Sequence, residues 1–282
     1  AIPPELAGQT LAAVVRIQRP GASWKQARRL IALRQVQLNG ELCLDPARRV
    51  KEGDQLTLLG KPAPMPAAIR DDLNIRHLDE HVVVVEKPPG INTVRHPSEL
   101  QWDHRRRALS PTLQDRLQLA LADKFHKPVA QLPRLRIVHR IDKDTSGLVV
   151  FARSVVAERE LGRQFHAHTV VRRYLALVHG LSVTQTIRST LVRDRGDGRR
   201  GSTDQPGQGK EAITHVEMAE RLPNFTLLSC RLETGRTHQI RIHLAEAGHP
   251  VCGEKVYIRL RNGSDFVDVS NSPRLFLHAV EL

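Results

Sequence analysis

A nine-residue polar segment between two short apolar runs constrains the fold of this chain more than any other feature. The segment is His139-Arg140-Ile141-Asp142-Lys143-Asp144-Thr145-Ser146-Gly147, and the runs are residues 135–138 and 148–151. Short, β-branched apolar runs predict buried strands. Gly147 supplies a permissive backbone where the chain re-enters the sheet. Because a loop fixed between two core strands is a rigid mount, we expect it to carry a reacting group.

The charge of the chain indicates a class of partner. Its 282 residues carry a formal net charge of +13 and have a pI of about 10.5. A globular chain this basic favours phosphates or another anionic surface. The chain contains no apolar run of membrane-spanning length and no signal pattern at its start, so we expect no membrane partner and a cytoplasmic location.

The cysteines exclude a disulfide framework and a paired-cysteine metal site. Cys43, Cys230 and Cys252 are far apart and odd in number. We therefore expect buried free thiols in a reducing compartment.

Residues 1–60 predict a small domain of two helices followed by a hairpin. Ser23 and Gln26 have capping-box spacing, and Asn39-Gly40 between alternating strands is a strong hairpin signal. The second helix carries a cationic stripe off its apolar face: Lys25, Arg28, Arg29 and the later Arg34. This arrangement resembles the S-four type of RNA-binding module, which implies binding to RNA phosphates. A small accessory domain with a solvated charged helix is the alternative.

The domain organisation follows from composition. Residues 61–71 are rich in proline and predict a semi-rigid linker, so we expect a second domain over residues 72–282. Ser110-Pro111 predicts a helix start, with Ser110 as its cap. The charged stretch 102–107 and the Gly-rich stretch 193–209 both predict loops.

The polar segment at 139–147 also resembles the signature of the RluA-type pseudouridine synthases. That signature is His-Arg-Leu-Asp, two variable residues and Thr-Ser-Gly, with Ile141 here in place of Leu. The resemblance implies that Asp142 is the catalytic residue. A solvated, charge-rich turn is the alternative for this segment taken alone.

Two further segments match the same family. Residues 172–180 resemble its second motif, which implies that Tyr174 stacks on the target base and is a candidate proton acceptor. Residues 232–244 resemble its third motif, which implies that Arg241 pairs with Asp142 and that Ile240 lines the pocket. Arg140 is implied to enter the RNA stack. Residues 251–257 resemble the closing turn, with Glu254 where Asp is usual, and the last residues suggest a shortened C-terminus.

The resemblance implies an isomerisation that needs no cofactor and no metal. Pseudouridine formation breaks the bond between uracil and ribose, turns the base and rejoins it through carbon. Asp142 must be ionised, and attack on the sugar, attack on the base and removal of a sugar proton all remain open. A cation beside a partly buried carboxylate would keep it charged, and Arg241 is suited to that role.

Rival functions explain less of the sequence. Asp142, Asp144 and His139 could ligate a metal, but no histidine or cysteine cluster has the required spacing. A non-catalytic RNA-binding protein would explain the charge, but not Asp142, Tyr174 and Arg241 together. We therefore predict an α+β chain, with the small RNA-binding domain followed by a catalytic domain built on a mostly antiparallel mixed sheet flanked by helices and loops. It would act as a monomeric RNA pseudouridine synthase without an obligatory protein partner, on large-subunit ribosomal RNA or alternatively on tRNA.

Overall fold

The computed structural model describes residues 1–61, 63, 73–102, 104–195, 198–258 and 266–282. The chain divides into two compact units, one of residues 1–71 with 102–109 and one of residues 72–101 with 110–282. The predicted linker lies almost wholly outside the described residues.

The first unit packs short helices beside a small antiparallel sheet. Its helices are α1 (Leu11–Ile17), α2 (Trp24–Ala32) and α3 (His104–Leu109), and its strands are β1 (Val36–Leu38), β2 (Glu41–Leu42) and β3 (Leu56–Leu58), in the order β2-β1-β3. The predicted capping box is confirmed, since the Ser23 side chain accepts from the Gln26 amide and the Gln26 side chain accepts from the Ser23 amide. The predicted hairpin is also confirmed. Asn39 and Gly40 both have positive φ, as a type I′ turn requires.

Two sequence predictions in this unit were wrong. Arg34 does not extend the exposed cationic stripe, because it is buried and its Nη1 donates to the Leu109 carbonyl at 3.1 Å. Residues 102–107 do not form a solvated loop. Most of them belong to α3, and the Arg106 guanidinium stacks 4.0 Å from the Trp102 ring and donates to the Leu44 carbonyl.

The second unit is built on a 10-stranded sheet. Its strands, in chain order, are β4 (Ile75–Leu78), β5 (Val82–Lys87), β6 (Arg136–Ile137), β7 (Ser146–Ala152), β8 (Arg173–His179), β9 (Gln185–Val192), β10 (Gly201–Ser202), β11 (Lys210–Arg221), β12 (Phe225–Leu232) and β13 (Leu277–Glu281). Its helices are α4 (Leu113–Phe125), α5 (Val155–His166) and α6 (Gln239–Glu246).

The sheet is mixed and almost wholly antiparallel, as predicted. Its order is β10-β9-β11-β12-β8-β13-β7-β5-β4, with β6 paired to β7, and among the described strands only the β13–β7 pair is parallel. The stretch 193–209, predicted as a loop, contains β10, which pairs with the end of β9. Gly147 has φ of +112°, and a side chain there would collide with the Ala279 backbone on β13. This close approach requires glycine at the end of the polar segment.

Helix α4 begins later than predicted. Its cap is Thr112, whose hydroxyl accepts from the Asp115 amide at 3.2 Å, while the Asp115 carboxylate accepts from the Thr112 amide at 2.9 Å. This reciprocal pair satisfies two backbone donors, which explains why Ser110 is not the cap.

Three apolar clusters of described residues form the core of the second unit. The first includes Val83, Leu117 and Phe151, the second Ala176, Leu228 and Leu244, and a smaller third Leu191, Ile242 and Tyr257. Tyr174 packs against the first two clusters, so the base of β8 is fixed between them. Cys230 and Cys252 are buried as expected, whereas Cys43 is only partly buried. Among the described residues, no helix is both long and apolar enough to cross a membrane.

Candidate active site

The polar segment between β6 and β7 is held in place by hydrogen bonds from a buried lysine. Lys87, at the end of β5, is fully buried, and its Nζ donates to the carbonyls of Pro88, Ile91 and Lys143 at 2.9, 3.0 and 2.8 Å. Burial lowers the pKa of Lys87 to about 8. The Thr93 hydroxyl donates to the Ile141 carbonyl at 2.8 Å from a second side. These bonds fix the backbone on both sides of Asp142.

His139 fixes the start of the same segment. Its Nε2 accepts from the Val150 amide at 3.0 Å, and its ring stacks on Phe165 with 4.6 Å between centroids. Burial, with a smaller contribution from the nearby Arg172 charge, lowers the pKa of His139 to about 4. The ring is therefore neutral at physiological pH, and the accepted bond assigns its proton to Nδ1.

A cavity of about 320 Å³ brings the predicted catalytic-domain residues together. Its lining includes Asp142, Tyr174 and Arg241, with Arg140 and Ile240. The first residue comes from the loop before β7, the second from β8, and Ile240 and Arg241 from α6. Sequence segments about a hundred residues apart thus meet at one site. Lys25, Arg28 and Arg29 lie on the exposed face of α2 in the first unit.

The titratable side chain nearest Asp142 among its ion-pair contacts is a histidine that the sequence did not single out, and burial lowers the pKa of this residue, His238. His238 Nε2 lies 3.9 Å from Asp142 Oδ1, and His238 Nδ1 is 2.6 Å from the Tyr257 hydroxyl. His238 has φ of 60° at the N-cap of α6. A residue other than glycine in this region is uncommon and stays there when its surroundings require it. Tyr257 thus orients the ring of His238 toward the carboxylate.

The predicted ion pair between Arg241 and Asp142 is wrong for this structure. Arg241 lines the cavity, but its Nε and Nη2 donate to the two carboxylate oxygens of Glu254 at 2.7 and 2.6 Å. Both side chains are at least 95% buried. A fork of two parallel bonds is the strongest arrangement open to a guanidinium, and Glu254 provides it. Arg241 therefore acts on Asp142 only through its field.

Glu254 is held as firmly as its partner. Its Oε1 also accepts from the backbone amides of Lys255, Val256 and Tyr257 at 3.0, 2.8 and 3.3 Å. Burial alone would raise the pKa of Glu254, but the hydrogen bond and charge of Arg241 hold it below its usual range.

Tyr174 lies where its hydroxyl is sensitive to the charges of the cavity. Burial, and secondarily the charge of Asp142, raise the pKa of Tyr174 to about 12, while Arg172 acts in the opposite direction. The phenol is therefore protonated in the free protein. Its ring offers a flat face for a base.

The sequence missed the side chains that support the predicted ones. The cavity is lined by His238 and Arg172 and adjoined by Tyr257. The sequence indicated only that Glu254 stands where the family usually has Asp. A signal was present for Tyr257, since the chain has two tyrosines and both lie in family-like segments. In the described part of the chain, no group of three or more His, Cys, Asp or Glu residues is arranged to hold a metal ion.

Comparison with known proteins identifies two matched regions. Residues 81–246 match the model of the RNA pseudouridylate synthase family, and residues 9–56 match the S4 domain. The first region contains Asp142, Tyr174 and Arg241, and the second contains α1, α2 and the hairpin.

Curated relatives agree with the family match. The chain is 38% identical over 248 residues to ribosomal large subunit pseudouridine synthase D of Zymomonas mobilis, covering 86% of this chain and 75% of that protein. It is 40% identical over 213 residues to the protein of the same name from Nitrosomonas europaea, covering 74% and 57%.

A solved structure shares the fold. The protein named Human RNA Pseudouridylate Synthase Domain Containing 4 superposes with a TM-score of 0.56 at 22% identity, covering 73% of this chain and 82% of that one. With the family model spanning more than half of the chain, these findings show that it belongs to the RNA pseudouridylate synthase family.

Proposed function

We propose that this chain isomerises uridine to pseudouridine in structured large-subunit ribosomal RNA, with Asp142 as the catalytic residue. The observation that carries the proposal is the convergence of Asp142, Tyr174 and Arg241 on one cavity in a chain of this family. A binding module needs no carboxylate on a rigid loop at the base of such a cavity.

The geometry supports a reaction on a nucleotide that has left its stack. Everting a base costs a few kcal/mol, and stacking on Tyr174 would return about 1–3 kcal/mol. Arg140 is exposed and lines the cavity, and it would occupy the vacated position in the RNA. Ile240 supplies an apolar wall.

Asp142 is the group that would react with the ribose or the base. Attack on the sugar, attack on the base and removal of a sugar proton each begin from its ionised form. His238 at 3.9 Å and the buried Arg241 provide polar and positive surroundings for that charge. The carbonyl bonds of Lys87 keep the loop backbone from moving during the reaction.

The substrate proposal depends on the relatives and on the first unit. Relatives at 38–40% identity are named for the large ribosomal subunit. The S4 domain presents Lys25, Arg28 and Arg29 on an exposed helix face, where they would bind phosphates. We propose further that the protein acts as a monomer in the cytoplasm, where ribosomal RNA is available as its substrate.

The test uses transcripts of large-subunit ribosomal RNA and of tRNA labelled with tritium at uridine C5, because isomerisation releases that tritium. We expect release from the ribosomal transcript and little from tRNA. Release from tRNA alone would overturn the choice of substrate, and release from neither would leave a protein that only binds RNA. Lys25→Gln, Arg28→Gln and Arg29→Gln combined should raise KM and leave turnover at saturating RNA nearly unchanged.

A further inference from the structure

A second arginine in the cavity wall has no acidic partner among the described residues. Arg172, just before β8, lines the cavity and is 8% exposed. Its Nη2 donates to the carbonyls of Glu233 and Leu232 at 3.0 and 3.5 Å. Its Nε is buried without a partner, and in the part of the chain that the structure describes Nη1 has no acceptor.

The contrast with Arg241 shows what Arg172 lacks. Both guanidinium groups line one cavity, but Arg241 is neutralised by two bonds to Glu254. A buried charge without a counter-ion is costly. Two carbonyl oxygens orient the Arg172 side chain without neutralising it. The cavity therefore keeps a fixed, uncompensated positive charge, which an anionic ligand would neutralise.

The backbone beside Arg172 is shaped to leave its guanidinium room. Gly235, in the loop before α6, faces the side chain so closely that an added Cβ would lie 2.7 Å from Arg172 Nη1. The next residue, Arg236, also lines the cavity, and its Nε donates to the Glu211 carbonyl at 2.9 Å. No carboxylate is paired with Arg236 among the described residues. Burial, then the charges of Arg172 and Arg236, lower the pKa of the nearby His168.

The cavity thus has walls of opposite charge. The hydroxyl of Tyr174 is influenced both by Asp142 and by Arg172, in opposite directions. In the proposed function Tyr174 stacks on the base, and Asp142 reacts with the ribose or the base. A nucleotide has a third part, its phosphate, and a fixed guanidinium is well suited to hold one.

We propose that Arg172, supported by Arg236, binds a backbone phosphate adjoining the target uridine. This subsite deepens the proposed function and rests on it. It would fix the ribose relative to Asp142. It would also make entry of the nucleotide depend on its phosphate as well as on its base.

The test compares Arg172→Gln with a matched control, Arg173→Gln. Arg173 is the next residue, is half exposed, pairs with Glu281 at 3.3 Å and does not line the cavity. The probe is the large-subunit ribosomal transcript, with Kd measured over a range of KCl concentrations. We expect Arg172→Gln to raise Kd about tenfold at 0.1 M KCl. It should also reduce the slope of log Kd against log[KCl] by about 0.7 to 1, with Arg173→Gln leaving the slope unchanged.

Competition with mononucleotides identifies the ligand group. Uridine monophosphate should displace the transcript from wild-type protein better than uridine does, and this preference should disappear in Arg172→Gln. Arg172→Lys, which keeps the charge, should retain most of the salt slope. An unchanged slope in Arg172→Gln, or an equal loss in Arg173→Gln, would overturn the subsite. Tritium release by wild-type protein tests the proposed function separately, because the salt slopes report on binding and not on turnover.

Discussion

The ion pair between Arg241 and Glu254 can be tested by changing one atom type. In Glu254→Gln the side chain keeps its shape but loses its charge, and one oxygen facing Arg241 becomes an NH₂ group. A donor then opposes a donor, and a guanidinium that is 95% buried has no counter-ion. Breaking a buried pair from one side costs about 3–5 kcal/mol. For a unit of this size that corresponds to a fall in Tm of roughly 10 °C.

The chain offers a matched control. Glu158→Gln removes the partner of Arg136, a pair of similar length at 2.8 Å whose side chains are 33% and 38% exposed. Water screens such a pair, so we expect a loss of at most about 1 kcal/mol. The measurement is urea unfolding of both variants and wild type, followed by circular dichroism and analysed for the second unit.

The pH dependence of stability distinguishes the loss of the Glu254 charge from a change in side-chain packing. The folded pKa of Glu254 lies below its ordinary value of 4.5. The contribution of the pair to stability is therefore fully present above that value and is lost as pH falls through the folded pKa. The difference in unfolding free energy between wild type and Glu254→Gln should be constant at neutral pH and shrink below about pH 4.5. Equal losses of unfolding free energy in Glu254→Gln and Glu158→Gln would contradict this prediction. A difference between wild type and Glu254→Gln that grows in acid would contradict it as well.

Other features of the structure make predictions of their own. Gly147→Ala should destabilise the fold by more than about 3 kcal/mol, because the new methyl meets the neighbouring strand, whereas Gly162→Ala in the open face of α5 should stabilise it by about 0.5–1 kcal/mol in the same urea assay. Burial lowers the pKa of His243 to about 4, so stability should fall by about 3 kcal/mol as pH drops from 6.5 to 4, and fall less in His243→Gln. Tyr257→Phe removes the 2.6 Å bond to His238 and should slow tritium release about tenfold with little change in KM; unchanged release would show that the bond does not position Asp142.

Local sequence signals predicted the parts of this fold that depend on neighbours in the chain. The Ser23 capping box and the Asn39-Gly40 turn are both fixed within a few residues, and both were confirmed. The predicted start of α4 was wrong because two candidate cap residues, Ser110 and Thr112, lie close together in the sequence. Thr112 has an acidic residue three positions later, whereas Ser110 has Leu113 there.

Partners chosen by tertiary packing could not be predicted in this way. The motifs predicted that Asp142, Tyr174 and Arg241 share one site. They did not predict that Glu254 is the carboxylate that pairs with Arg241. Glu254 pairs with Arg241 because it lies in a turn where three backbone amides already donate to its carboxylate. Similarly, nothing local shows that residues 102–109 pack with the first unit, since their contacts are with residues far earlier in the chain.

The carboxylate of Asp142 is proposed to perform the chemistry, and one pair of variants tests this role most directly. Asp142→Asn and Asp144→Asn change the same group in the same loop, but only Asp142 lines the cavity, while Asp144 is exposed. Single-turnover tritium release from the labelled ribosomal transcript should fall at least about a thousandfold in Asp142→Asn and stay near the wild-type rate in Asp144→Asn. Release by Asp142→Asn at a rate close to wild type, with RNA binding intact, would contradict the account.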